Sequence, residues 1–409
     1  MKNNYKTINK CQFSKRRDLK LILSLGFLPP VNDFSSIKQG LRAVQFFPTN
    51  LMYSPSSKLV QLSTIVDKKI IFPSSYPYTS STTRILRENF NDLSIECKKI
   101  INFKNDDLIV DIGSNDGNLL SNFSNIRRLG VTPENIGRLA IKKGIPTLLR
   151  YFNTDTSNYI KNKFGKAKII TATNVFAHID DIHTLIKNIL NLLKDDGVFI
   201  SESHYLLSLI KGNQYDTIYH EHLRYYSLES LKKIFEKYNL EIFHAKKILT
   251  HGGSIRVYVS KKKYKIRKSV NKIIKSESKN LNWNKFLHFR NKVIQSKFDL
   301  LKLLYSLKKK KMVIYGVGAP SRASTLINYT GLKREIIEFI CEVKNSYKIG
   351  FFMPGTDIPV VDENIIFKKK PDYLLIFSWH IAPELIKNLK KKGYKGKFIV
   401  PLPKPKIFK

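Results

Sequence analysis

The stretch Leu108-Ile-Val-Asp-Ile-Gly-Ser-Asn-Asp-Gly-Asn118 decides the fold. A buried strand runs into a turn with two glycines, and a helix is expected to start at about Asn118. The turn needs Gly113 and Gly117 so that backbone can take positive φ and approach a ligand closely. A helix N-terminus there would present free N–H groups. The pattern is D-x-G-S-x-D-G rather than the G-x-G-x-x-G of dinucleotide sites. Asp111 and Asp116, with Ser114 between them, suit a ligand bearing an ammonium and a sulfonium better than a pyrophosphate. A purely structural strand–turn–helix is the competing reading.

Outward from this turn, strand-like runs alternate with helical patterns from about residue 80 to 255. They are Asp107–Ile112, Arg128–Thr132, Ala167–Ala172, Gly197–Glu202 and Ser254–Ser260. The alternation argues for a parallel α/β sheet. Two strand ends face the same crevice as the turn: Thr132, with Glu134 just beyond it, and Asn174 in Thr173-Asn-Val-Phe-Ala-His178. Residues 1–75 are rich in Pro, Ser and short apolar runs, with Leu21, Leu23, Phe27, Phe34, Leu59, Val60 and Leu62 as the expected core. Residues 76–260 form the central domain and 261–311 a helical connector. In the connector Trp283, Phe286, Val293, Ile294, Phe298, Leu301 and Leu304 make one apolar stripe. Residues 312–409 read as a second α/β unit, with strands Met312–Tyr315, Glu335–Cys341, Asp372–Phe377 and Lys397–Pro401.

The chain has 409 residues, 42% of them hydrophobic, which suits several cores rather than one. Its net charge of +40 first suggests nucleic acid. The charge, however, is spread along the chain, Lys greatly outnumbers Arg, and aromatics do not interleave with basic residues as on single-strand platforms. No nucleic-acid partner and no membrane partner is expected, because no apolar run reaches ~18 residues. Three scattered cysteines (Cys11, Cys97, Cys341) fit a reduced, cytoplasmic protein, and a monomer is expected.

Histidines crowd between Thr173 and His222, and Tyr215-Asp-Thr-Ile-Tyr-His-Glu-His-Leu-Arg-Tyr-Tyr226 packs His, Glu and Tyr together. Three readings stay open for this segment. It is a metal site through His220, Glu221 and His222, a set of satisfied structural polar groups, or an acid/base cluster able to move a proton near neutral pH.

The strings GSNDG (113–117), NVFAH (174–178), HYLLSLI (204–210), YDTIYHEHLRYYSL (215–228), THGGSIRVYV (250–259) and PGTDIPV (354–360) resemble the sugar C-methyltransferase family. So do Leu25–Phe34, Leu59–Leu62 and Ser75–Ser81, in the same order, so the likeness covers nearly the whole chain. It implies a small N-terminal zinc-binding domain and a central class I methyltransferase domain of Rossmann-like α/β fold. It also implies a C-terminal Rossmann-like α/β domain that helps hold a nucleotide-linked keto sugar. S-adenosylmethionine would be the donor, at Asp111, Gly113, Ser114, Asp116, Gly117, Thr132, Glu134 and Asn174. A base would remove the proton beside the keto group, and the enolate would take the methyl. By position His222 matches the base, and Tyr219, Glu221, His178 and either Tyr76 or Tyr78 match the other active-site groups. His204, Arg224, His251, Arg256, Arg322 and Asn328 are expected on the substrate; Arg322 stands where the family has Lys and could pair with phosphate.

Departures from the family are specific. Its zinc ligands are two C-x-x-C pairs; here Cys11 is followed by Ser14, Ser54 and Ser57, so zinc is not expected. Thr132 stands where a carboxylate usually meets the ribose, and Asp357 replaces a His. These departures leave two rivals: a family member that binds ligand without turnover, and, from the charge, a nucleic-acid methyltransferase or binder.

Overall fold

A computed structural model describes residues 4–72, 81, 83–124 and 126–409. The expected active-site tyrosines Tyr76 and Tyr78 lie outside the described residues. Strand Leu108–Ile112 lies inside a seven-stranded sheet. Its order is Glu241–Ile248, Ser254–Ser260, Leu193–His204, Ala167–Thr173, Leu108–Ile112, Arg127–Val131, Thr147–Leu148. Pairing is parallel except along Ser254–Ser260, which is antiparallel to both neighbours. The five expected strands are all present. The strands Glu241–Ile248 and Thr147–Leu148 were not anticipated. Glu241–Ile248 is an edge strand carrying Lys246 and Lys247, so it lacks the apolar run of the inner strands.

Alternation along each strand builds two cores. Val110, Ile112, Ile170 and Phe199 face helices Thr154–Phe164, Ile182–Leu192 and Leu228–Glu236. Ile109, Ile169, Val198 and Ile200 face helix Arg84–Ile100 through Phe90, Leu93 and Cys97. The strand order reverses between Leu108–Ile112 and Ala167–Thr173, which opens a crevice at their carboxyl ends.

The helix expected at Asn118 does not form; one 3-10 turn, Leu120–Asn122, takes its place. Ser121 Oγ and Asn122 Nδ2 both donate to the Asn118 carbonyl, at 2.7 and 2.8 Å. Such local side-chain bonds compete with the helical ladder.

The N-terminal region carries a four-stranded antiparallel sheet whose fourth strand comes from far along the chain. The order is Arg224–Tyr225, Leu59–Leu62, Phe47–Ser54, Lys20–Leu28. Its core is rephased from the expectation: Leu21 and Phe27 are 45% and 66% exposed, while Ile22, Leu23, Leu25 and Leu28 are buried. Register shifts at Leu21/Leu23 and Ser24/Phe27 break the period-2 alternation.

The connector is two helices, Lys268–Asn280 and Trp283–Lys309. The long helix buries Phe286, Phe289, Val293, Leu300, Leu304 and Leu307, and leaves Phe298, expected in the stripe, 58% exposed. The C-terminal sheet has the order Val360–Asp362, Ile340–Glu342, Ile314–Val317, Tyr373–Ile376, Lys397–Val400, Lys406–Phe408, parallel but for the last strand. The strand expected at Glu335–Cys341 starts only at Ile340. No helix among the described residues is long and apolar enough to cross a membrane.

Candidate active site

The glycine turn closes the Leu108–Ile112 strand against the next crossover. Gly113 and Gly117 take φ of 75° and 77°. A Cβ at Gly113 would lie 2.3 Å from Val175 Cγ2, and one at Gly117 2.9 Å from Ala140 Cβ, so both positions exclude a side chain on two counts. Ser114 Oγ is buried without a hydrogen-bond partner among the described residues. Asp111 is buried on the strand, accepts from Thr171 Oγ1 at 2.6 Å, and burial raises its pKa to about 7. Asp116 is buried behind the turn, 3.5 Å from Lys143 Nζ. At the end of the next strand the Thr132 hydroxyl donates to the Glu134 carboxylate, so the two form one unit. Asn174, at φ 58°, holds its backbone N–H 2.7 Å from the Glu202 carbonyl and its amide 3.5 Å from His251 Nε2. The positive-φ turn, the buried Ser114 hydroxyl and the carboxyl groups of Asp111 and Asp116 fit a compact cationic amino-acid ligand. Ammonium binding would fall to the turn at Gly113–Gly117, and ribose hydroxyls to Thr132–Glu134.

Beside this turn the histidines converge. His222 is the hub: its ring centroid is 4.3 Å from Tyr219, 5.1 Å from His178, 6.4 Å from His204 and 6.1 Å from Tyr225. Phe72 stacks on His178 from the other side at 5.5 Å. His222 Nδ1 donates to the Thr217 carbonyl at 3.0 Å. Because that acceptor is a carbonyl, Nδ1 carries the proton and Nε2 keeps the basic lone pair. Burial, with Arg322 nearby, lowers the His222 pKa to about 4 despite the Thr217 bond. His178 and His204 are also lowered well below the usual imidazole value, by burial first and then by His222. Glu221 is buried and accepts from Asn32 Nδ2 at 2.7 Å. Its neighbour His220 turns away, bonding Thr49 Oγ1 at 3.0 Å and the Pro48 carbonyl at 3.3 Å. His220 is therefore part of the packing between domains, and no cluster of three metal-ligating side chains exists among the described residues.

The C-terminal domain packs against this cluster. Arg322, on helix Ser321–Thr330, is buried; it donates to His380 Nδ1 at 3.1 Å and to the His251 carbonyl at 3.3 Å, and lies 3.7 Å from Asp216 Oδ2. Trp379 Nε1 donates to the same Asp216 oxygen at 2.7 Å. Burial and the Arg322 charge lower His251 to about 4 and His380 to about 3. Arg322 is thus a buried cation set between imidazoles and the Asp216 carboxyl.

Two expected substrate contacts are corrected. Arg224 is buried and spends its guanidinium on protein: Tyr226 Oη at 2.9 Å, Gln12 Oε1 at 2.6 Å, and the carbonyls of Asp180 and Ile179. Arg256 is buried among Glu202 (3.0 Å), Asp92 (3.1 Å) and Glu96 (3.1 Å). Both fasten elements to one another. Asn328 donates to the Pro354 carbonyl at 2.9 Å and so pins the PGTDIPV loop. Reading the residues missed Asp216 and Thr217, although both lie inside the quoted Tyr215–Tyr226 string. It also missed Gln214, whose amide donates to the Gly252 carbonyl at 2.6 Å and whose Oε1 is 3.4 Å from His204 Nε2. Trp379 and His380 carried no local signal at all.

The four positions where the resemblance implies zinc ligands do come together. Cys11 Sγ is 3.2 Å from Ser57 Oγ, the Ser14 N–H is 3.3 Å from Cys11 Sγ, and Ser14 and Ser54 each lie 3.3 Å from Ser56 Oγ. Asp18 anchors the group, accepting from Ser54 Oγ at 2.8 Å and Ser56 N–H at 2.9 Å. One thiol and three protonated hydroxyls do not fit a structural zinc ion, which needs thiolate or imidazole donors.

Three family models match the chain in order: a putative zinc binding domain over residues 11–72, a methyltransferase domain over 79–245, and a C-methyltransferase C-terminal domain over 249–403. The C-methyltransferase NovU of Streptomyces niveus is 28% identical over 417 residues, spanning 100% of this chain and 98% of that one. Crystal structures of S-adenosylmethionine-dependent methyltransferases from Anabaena variabilis ATCC 29413 and Clostridium acetobutylicum ATCC 824 are similar at 17% and 18% identity. Each covers 44% of this chain, and 85% and 93% of its own, with TM-scores of 0.34 and 0.33.

Proposed function

We propose that the acceptor of this chain, read as an S-adenosylmethionine-dependent member of the C-methyltransferase family, is a nucleotide-linked deoxy keto sugar, methylated on the carbon beside the keto group. The observation that carries this reading is the placement of the His222 imidazole. Its Nδ1–H is tied to the Thr217 carbonyl, and its ring lies beside Tyr219 and His178 next to the glycine turn. An imidazole so held takes a proton at Nε2. Removing a proton next to a carbonyl leaves an enolate oxygen, to which Tyr219 and His178 would donate. S-adenosylmethionine supplies the electrophilic methyl.

Arg322, with His380, His251 and Asp216 around it, approaches the histidine cluster from the C-terminal domain and supports an anionic handle such as a diphosphate on the acceptor. A fixed cation there would orient the sugar ring against His222 and keep reaction geometry from depending on the base alone. We further propose that the Asp18–serine group does the work of the zinc ion in the N-terminal domain.

The test is mass spectrometry of products from a panel of nucleoside-diphosphate keto sugars with S-adenosylmethionine. The expected product is heavier by one methyl on carbon, and the reaction in deuterated water exchanges the adjacent proton. Donor binding without any methylated sugar would favour a member that binds without turnover.

A further inference from the structure

Asn32 belongs to the N-terminal region, yet its side-chain amide donates to Glu221 Oε1 at 2.7 Å, beside His222. The backbone that carries it is fastened on the far side to the C-terminal domain. Strand Ser35–Ser36 pairs antiparallel with Phe351–Phe352, and the Ile37 N–H donates to the Gly350 carbonyl at 2.9 Å. The Phe34 ring meets Tyr347 and Phe351 edge-on, at 6.4 Å each, with Lys348 Nζ 5.7 Å from its centroid. A Cβ on Gly355 would lie 2.8 Å from Pro29 Cγ, so the loop packs closely there too. The Asn32 amide is thus held by one domain, seated on a second, and aimed at a carboxylate of the third. A cleft of about 450 Å³, lined in part by Pro30, Asn32, Arg42 and Ile71, opens along the same loop.

We propose that Asn32 is a positioning residue for Glu221: it fixes the orientation of the carboxylate and favours its charged form, so that the N-terminal region takes part in methyl transfer without touching the reacting atoms. The proposal rests on the reading in which Glu221 meets the acceptor. A hydrogen bond donated to a carboxylate stabilises the ionised state. Other groups among the described residues face Glu221. Lys348 and Tyr347 approach from the C-terminal domain. Asp33, next to Asn32, is taken by Arg42. On Glu221's own loop, Tyr219 and His222 pair with each other and His220 points to Thr49. Lys348 is itself anchored on the Ala319 carbonyl at 2.6 Å, whereas the neutral amide of Asn32 donates directly to Oε1.

Two variants test this in the full-length protein. Asn32→Asp keeps the shape and turns the donor into a second carboxylate; Asn32→Ala removes it. The Glu221 carboxyl is followed by ¹³C NMR titration, its signal assigned by loss in Glu221→Gln. The expected result is an upward midpoint shift of about one pH unit or more in both variants, larger for Asp. Turnover should fall on the order of 10- to 100-fold, with the affinity for S-adenosylhomocysteine and the melting temperature little changed. An unmoved midpoint in both variants, or a moved midpoint with wild-type turnover, overturns the proposal. Failure of the wild-type protein to methylate any sugar in the panel would count against the acceptor assignment alone, and the titration would then decide for or against Asn32.

Discussion

His222 holds its Nδ1 3.0 Å from the carbonyl oxygen of Thr217, five residues back in the same loop. That one bond selects the tautomer, orients the ring and leaves Nε2 as the basic atom. His222→Ala should therefore lower methyl transfer by about 10²–10⁴-fold while S-adenosylhomocysteine binds with near-normal affinity. Product mass spectrometry and calorimetry measure the two effects. Near-normal turnover would move the role of base to His178 or Glu221.

Arg322 depresses the basicity of its neighbours. It lowers His222, His251 and His380 by its charge, in addition to burial. Arg322→Gln should move the acid limb of the pH–rate profile upward, because the imidazoles then protonate more readily. The same variant should bind a nucleoside diphosphate about tenfold or more weakly, the scale of a charge-assisted bond of ~1.5–3 kcal/mol. A pH profile superimposable on wild type would show that Arg322 does not reach the base electrostatically.

The same three histidines set an acid sensitivity for folding. Their folded values are about 4, 4 and 3, below the unfolded value of about 6.5. Between those limits the unfolded chain binds more protons than the folded one, so stability falls as pH drops from about 6.5 toward 4. Thermal melts across that range should show the decline, and His380→Gln should flatten it. A melting temperature that stays level from pH 7 to 4.5 would contradict this.

On the donor side, the Thr132–Glu134 pair stands where one carboxylate is usual. Glu134→Ala should weaken S-adenosylhomocysteine binding by roughly tenfold, as expected for loss of a charged hydrogen-bond partner. Gly113→Ala should abolish binding, since its Cβ would sit 2.3 Å from Val175. Calorimetry on both variants decides.

For the Asp18 group, metal analysis of protein made without added zinc should find well under one ion per chain. Asp18→Ala, which orphans Ser54 and the Ser56 N–H, should cost about 1–3 kcal/mol of stability, and by the same amount with or without chelator. Near-stoichiometric zinc that is lost on Cys11→Ser would reverse the assignment.

What could be read from residues alone followed a physical divide. Gly113 and Gly117 announced the turn because only glycine tolerates both the φ and the crowding there. The inner strands announced themselves because burial on both faces demands continuous apolar runs. Phe27 and Leu21 misled because bulges rephase a strand without a mark in composition. Asn118 misled because Ser121 and Asn122 take the carbonyl a helix would need. Arg224 and Arg256 looked like ligand contacts because their tertiary partners, Gln12 and Glu202 among them, are far away in sequence. Trp379 and His380 reach the site only through the docking of a separate sheet, which no local pattern encodes.

The pairing of Arg224–Tyr225 with Val60–Gln61 has a consequence for biosynthesis. Leu59–Leu62 is an early strand whose outer neighbour is translated only after most of the central domain. While a nascent chain is still short of Tyr225, that strand is an open edge, with its backbone groups available to other chains. The last step in finishing the first sheet therefore waits on a segment that also carries His222. A chain truncated before this segment would lose the edge strand and His222 together and be prone to associate, while one that reaches it closes the sheet and delivers His222 in a single event.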